Sequence, residues 1–147
     1  VDLMEMLRKQ LVNFPQFIAS IPAEKLQYAY GPDKWTIAQV LVRILDCERV
    51  FQYRALRFAR NDQTPLPGFD QDAYIPYSGA ELVSKELLIE QYQAVRQNTI
   101  TLFASLDQEA LMRIGEASGA KMSVRALGFI CCGHQKHHRN IIRNRYL

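Results

Sequence analysis

Apolar residues return every three or four positions over most of this chain, and that spacing is what most limits its fold. Leu3, Met6, Leu7, Leu11, Phe14, Phe17 and Ile18 predict a first helix over about residues 2–20. Pro22 and Gly31-Pro32 mark the loop after it. Thr36-Ile-Ala-Gln39 reads as a capping box, in which each side chain satisfies the other residue's backbone N–H. It opens a second helix to about Arg60 with Ile37, Val40, Leu41, Ile44, Phe51 and Ala55 on its apolar face. Leu88, Tyr92, Val95, Thr99, Leu102 and Phe103 form the stripe of a third helix that starts between Ala80 and Ser84 and ends near Leu106. Ser123 is the expected N-cap of a fourth, reaching about Arg145.

The connections matter as much as the helices. Residues 61–79 hold Pro65, Pro67, Gly68, Pro76 and Gly79, a density of breakers that argues against any helix there. A loop of this length inside a small domain is unusual and often functional. Residues 107–122 form a second connection with Gly115 and Gly119 in it, and no strand-like alternation is evident. The expectation is an all-α four-helix bundle with a long crossover between helices 2 and 3, which joins helices that are not simple antiparallel neighbours.

Composition closes off other classes. With 147 residues, 48% hydrophobic and 22% charged, the chain reads as a single domain over residues 1–147. The longest apolar runs are broken by Arg43, Asp46 and Gly133, well short of the ~20 residues that span a bilayer. Glu5, Arg8 and Lys9 interrupt any signal peptide. Cys47 and the adjacent Cys131 and Cys132 suit a reducing cytoplasm better than a disulfide framework. A net charge of +3 is too small to call for nucleic acid, and the C-terminal Arg139, Arg143 and Arg145 read as a solvated stripe.

All three histidines fall in Gly133-His-Gln-Lys-His-His138. His134 and His138, four residues apart, lie about 40° apart around a helix axis. They share an arc with Val124, Leu127, Cys131, Ile141 and Ile142, while Lys136, Arg139 and Arg143 face the other way. Two imidazoles at this spacing either pack as core side chains or chelate a divalent metal, and neutral imidazole suits zinc, nickel or iron. Two ligands alone bind weakly, so a third donor has to come from another element.

Trp35-Thr-Ile-Ala-Gln-Val-Leu-Val-Arg43-Ile-Leu-Asp-Cys-Glu48, then Pro67-Gly-Phe-Asp70, then Gly133-His-Gln-Lys-His-His138 resemble the DinB-like superfamily over nearly the whole chain. The resemblance implies an up-down-down-up bundle, often a homodimer. Its members include thiol-dependent S-transferases, a maleylpyruvate isomerase and proteins assigned as metal hydrolases. It also implies a three-histidine metal site, with His134 and His138 as the metal ligands from helix 4. The helix 2 ligand, eight residues after the tryptophan, is Arg43 here. A guanidinium has no lone pair to give a metal, and it sets a positive charge beside the cation.

Three outcomes stay open. Arg43 replaces the metal's charge and grips a small-molecule anion or carboxylate. Alternatively, a divalent metal binds through a substitute ligand, Cys131, Cys47 or Glu48, against the repulsion of Arg43. In the third, the domain is a metal-free scaffold. Arg43 and Glu48 are the candidate catalytic side chains. Glu48 is either a partner that orients a histidine or half of a buried salt bridge to another helix. Asp70 and Asp72 are turn formers or acids that close over the pocket onto Arg43. Tyr74 and Tyr77 suit a pocket wall or loop anchor.

Overall fold

The computed structural model describes residues 2–147. Helix α1 (Leu3–Ser20) is capped by Asp2, whose carboxylate accepts from the N–H groups of Met4 and Glu5. Helix α2 (Ile37–Ala59) starts at the expected box: Gln39 N–H donates to Thr36 Oγ1 at 3.1 Å and Thr36 N–H to Gln39 Oε1 at 2.8 Å. The crossover holds α3 (Gln71–Tyr74), which runs into a 3-10 turn (Ile75–Tyr77). Helix α4 (Lys85–Ala104) begins at Ser84, and the one-turn α5 (Gln108–Leu111) at Asp107. Strands β1 (Ile114–Ala117) and β2 (Ala120–Ser123) form an antiparallel hairpin, and α6 (Val124–Ile141) ends in a π-helical turn (Ile142–Tyr146).

Named contacts fix the directions of the long helices. Lys85, at the start of α4, donates to Ala19 and Ile21 at the end of α1, so these two run antiparallel. Glu48 meets Arg96 and Gln52 meets Asn98, so α2 and α4 run parallel. Leu3 and Phe103 crowd Gly128, which sets α6 parallel to α1 and antiparallel to α4. This is the up-down-down-up order, and parallel α2 and α4 explain the long crossover: a chain leaving one end of α2 has to return to the other end before α4 begins.

Two sequence expectations fail locally. Breaker density did not exclude helix from residues 61–79, because Asp70 caps a single turn: its carboxylate accepts from Asp72 and Ala73 N–H. One turn needs only that cap and ends before Pro76 matters. The absence of strands was also wrong. Ser118 and Gly119 both have positive φ (53° and 77°), the conformation of a two-residue hairpin turn. Strands this short carry too little alternation to read from sequence. Gly115 in β1 is required by packing, since a Cβ there would stand 2.0 Å from the Phe58 ring. Leu66 of the crossover pairs with Ala117, tying the crossover to the hairpin.

The core is split. One apolar cluster gathers Phe14, Ile18, Leu41, Ile44, Leu88 and Tyr92; the other gathers Leu7, Phe58, Ile100, Phe103, Val124 and Leu127. Between them lies a layer of polar side chains, contributed by every long helix. The Arg96 guanidinium donates to both Glu48 oxygens at 2.8 Å, to Gln10 Oε1 at 2.8 Å and to Gln135 Oε1 at 3.1 Å. Tyr92 hydroxyl donates to Gln135 Oε1 at 2.6 Å, and Thr99 hydroxyl donates to Glu48 at 2.8 Å. Burial opposes the Arg96 charge, yet the Glu48 carboxylate outweighs it and holds the guanidinium protonated beyond its ordinary range. Among the described residues no helix is long and apolar enough to cross a membrane.

Candidate functional site

Helices α2 and α6 pack antiparallel, which brings Arg43 toward His134 and His138, with Phe51 against His134 at 6.0 Å between ring centroids. The imidazoles converge: His138 Nε2 and His134 Nε2 stand 3.1 Å apart. Both rings are half-buried, not central; the innermost polar side chain of α6 is Gln135, in the layer described above. Burial lowers both histidines to about 4, and the Arg43 charge pushes each in the same direction. The rings are therefore neutral at physiological pH.

Arg43 is held by the crossover. Its Nη1 pairs with the Asp72 carboxylate of α3, while Asp70 serves as the cap of that turn. Both readings of the loop acids hold, one for each residue. Arg43 Nε is buried with no partner, and among the described residues nothing accepts from Nη2 either. The Nε–Nη2 edge, the side that grips a carboxylate through two parallel hydrogen bonds, is free of protein acceptors.

Glu48 lies near His134, but both its oxygens are committed to Arg96 and Thr99. The expectation that it orients a histidine gives way to the buried salt bridge. Arg96 was missed in the sequence, although Tyr92, Arg96, Thr99 and Phe103 follow the same three- and four-residue spacing. A basic residue on that stripe, with Glu48 on the stripe of α2, was the available signal. Arg139, expected in solvent, is half-buried with its Nε unpartnered.

The donor set does not fit the three-ligand metal site that the resemblance implies. Two nitrogens on a tetrahedral zinc at about 2.0–2.1 Å would stand about 3.3 Å apart, so the histidine pair alone matches one edge. The position for the third donor carries Arg43, and among the described residues no three of His, Cys, Asp and Glu gather to hold an ion. Burial raises Cys47 to about 11 and also raises Cys131 and Cys132, so all three are protonated at neutral pH in the metal-free chain.

The model of the DinB superfamily matches residues 6–142. The chain belongs to the DinB superfamily. Its fold is similar to that of YfiT from Bacillus subtilis, described as a probable metal-dependent hydrolase with an unusual four-helix bundle topology. The two share 16% identity at a TM-score of 0.79, over 96% of this chain and 82% of YfiT. No curated protein matches the chain.

Proposed function

We propose that this DinB-superfamily domain binds a small organic anion at Arg43 without a resident metal. The observation that carries the reading is the buried Nε of Arg43, a charged group's donor without an acceptor. Leaving such a donor unpaired costs roughly 1–3 kcal/mol, more when the group is charged. A ligand carboxylate on the Nε–Nη2 edge would remove that cost. Asp72 supports the reading because it occupies the end of the guanidinium and orients the rest. The two neutral histidines supply one N–H donor each, less the one shared between them. The site can therefore grip an acid by charge and by a directed hydrogen bond. The test uses protein purified without a histidine tag. Elemental analysis is expected to find far less than one metal per chain, and acetate is expected to shift the Arg43 Nε–H resonance. A stoichiometric metal that EDTA removes would overturn the reading.

A second reading keeps the activity attributed to relatives, a metal-dependent hydrolase or thiol-dependent transferase acting on a small molecule. The 3.1 Å separation of the histidine Nε2 atoms favours it. It requires a third donor, and Arg43→His supplies one at the expected position. A clear rise in zinc affinity in that variant would support the inherited geometry; affinity equal to the parent's would retire it. The homodimer implied by the resemblance is checked by light scattering on the same samples.

A further inference from the structure

The net charge of +3 averages over two unequal parts of the chain. All 15 acidic residues lie before position 117, whereas residues 117–147 hold Lys121, Arg125, Lys136, Arg139, Arg143 and Arg145. Every arginine that pairs with a carboxylate belongs to the earlier part; among the described residues none of these six cations does so. At about 100° per residue, Arg125, Lys136, Arg139 and Arg143 share an arc of roughly 60° along α6 and its terminal turn. Cys132 lies in that arc, and its carbonyl accepts from Gln10 of α1 at 3.1 Å. Arg143 lies over Phe17 of α1 at 5.5 Å, so the row follows the seam between α6 and α1. His134 and His138 stand on the other flank of α6, toward α2. Asp2, at the start of α1, lines the same pocket as Arg125 and offsets its charge. Beyond Glu5 neither α1 nor α6 carries an acid, so no carboxylate of either helix compensates Lys136, Arg139 and Arg143.

Lys136 and Arg143 are exposed, and Arg139 between them is half-buried with a donor, Nε, that no protein group accepts. The three span about 10 Å along the helix axis, close to three phosphate steps of about 3.4 Å along a nucleic-acid strand. None of the exposed large apolar side chains lies in the row, so nothing there would enter the acyl layer of a membrane. We infer that the α1-facing edge of α6 docks the phosphate backbone of a nucleic acid. The rings along the row, Phe17 and Phe129, are covered by Arg143 and Arg125, so no base stacks on them. Contact stops at the phosphates, which carry no sequence information. Segregation of the charge matters more here than its small total, because a polyanion senses the field of the face it meets. This surface is separate from Arg43 and does not rest on the anion reading above.

The experiment follows the fluorescence anisotropy of labelled DNA duplexes of about 20 base pairs, in two unrelated sequences, titrated with the full chain free of a histidine tag at about 50 to 200 mM salt. Both duplexes are expected to bind equally. Log K should fall against log salt with a slope of about −3, roughly a 40-fold loss over that range, as three phosphates are neutralised. Lys136→Gln with Arg143→Gln should bring the slope to about −1 and weaken binding at low salt. Arg49→Gln with Arg60→Gln removes the same charge from α2 and its end, and should leave the slope unchanged. Arg143 packs on Phe17, so the exposed Lys136→Gln is also measured alone, with the slope expected to shrink by about one. Absence of binding to either duplex at the lowest salt overturns the inference. Equal weakening by the α2 variants overturns it too, since total charge and not the row would then be responsible. A tenfold preference for one sequence overturns the phosphate-only contact. Binding to phosphatidylserine vesicles without binding to the duplexes assigns the seam to a membrane and overturns the choice of partner.

Discussion

Two arginine–carboxylate pairs join helix α2 to other elements of this bundle, and they differ in everything but their chemistry. Arg96 and Glu48 are fully enclosed, with both carboxylate oxygens paired and guanidinium donors matched from α1, α2 and α6. Arg43 and Asp72 form a half-open pair: the Asp72 side chain is 56% exposed, and one edge of Arg43 faces no acceptor. The first pair makes a register mark, since only one alignment of the four long helices brings its partners together between two apolar clusters. The second leaves bonding capacity unspent. The enclosed layer leaves only the neutral amide of Gln135 Nε2 unpartnered, whereas at Arg43 the unpartnered donor belongs to a charged group.

The largest effect should follow from breaking the enclosed pair. Arg96→Ala leaves Glu48 buried and unpaired, and removal of one partner from such a pair costs about 3–5 kcal/mol. Against a typical total of 5–15 kcal/mol this is enough to bring urea unfolding close to native conditions. The double substitution Glu48→Leu with Arg96→Met removes both charges and should recover much of that loss, because the desolvation cost disappears with the pair. Urea midpoints of the single and double variants give the comparison. A single variant within about 1 kcal/mol of the parent would mean that the polar layer is not what aligns the helices.

The histidine pair should respond to pH in a defined window. Burial, reinforced by Arg43, sets both rings near 4 in the folded chain against an ordinary 6.5. The unfolded chain takes up protons first as pH falls, so the contribution of the neutral rings is complete above about 6.5 and is lost between about 6.5 and 4. The rings are half-exposed, so solvent screening reduces the effect to on the order of 1–2 kcal/mol for the pair. Urea midpoints should fall across that range in the parent and fall less in a His134→Gln, His138→Gln variant. Equal slopes in the two would show that the rings are not held neutral.

The bundle was largely legible in the sequence because every long helix shows apolar spacing and two of the four also show a cap. Thr36 with Gln39, and Ser123, mark their helices in the sequence and cap them in the structure. The hairpin was not legible: a four-residue strand shows at most two alternations, and the turn depends on the backbone of Ser118 and Gly119. At the candidate site, the proximity of Arg43 to the histidines followed from the family motif, and the pairing with Asp72 was one of two open readings. The role of Glu48 turned on Arg96, 48 residues away, and only the packing of α2 against α4 identifies that partner.

The smallest effect on stability is expected where the pair is most open. Asp72→Asn keeps the shape of the side chain and removes the charge that faces Arg43. Because Asp72 is mostly exposed, water takes over much of the lost interaction, and the folded state should lose no more than about 1 kcal/mol. The functional readout should move further than the stability. Arg43 loses the contact that holds its end in place, so acetate binding is expected to weaken by a few-fold while the urea midpoint barely changes. Arg96→Ala should show the opposite ratio, with stability falling first. If Asp72→Asn destabilises the fold as much as Arg96→Ala does, both pairs are structural. The free edge of Arg43 then has no claim to a ligand.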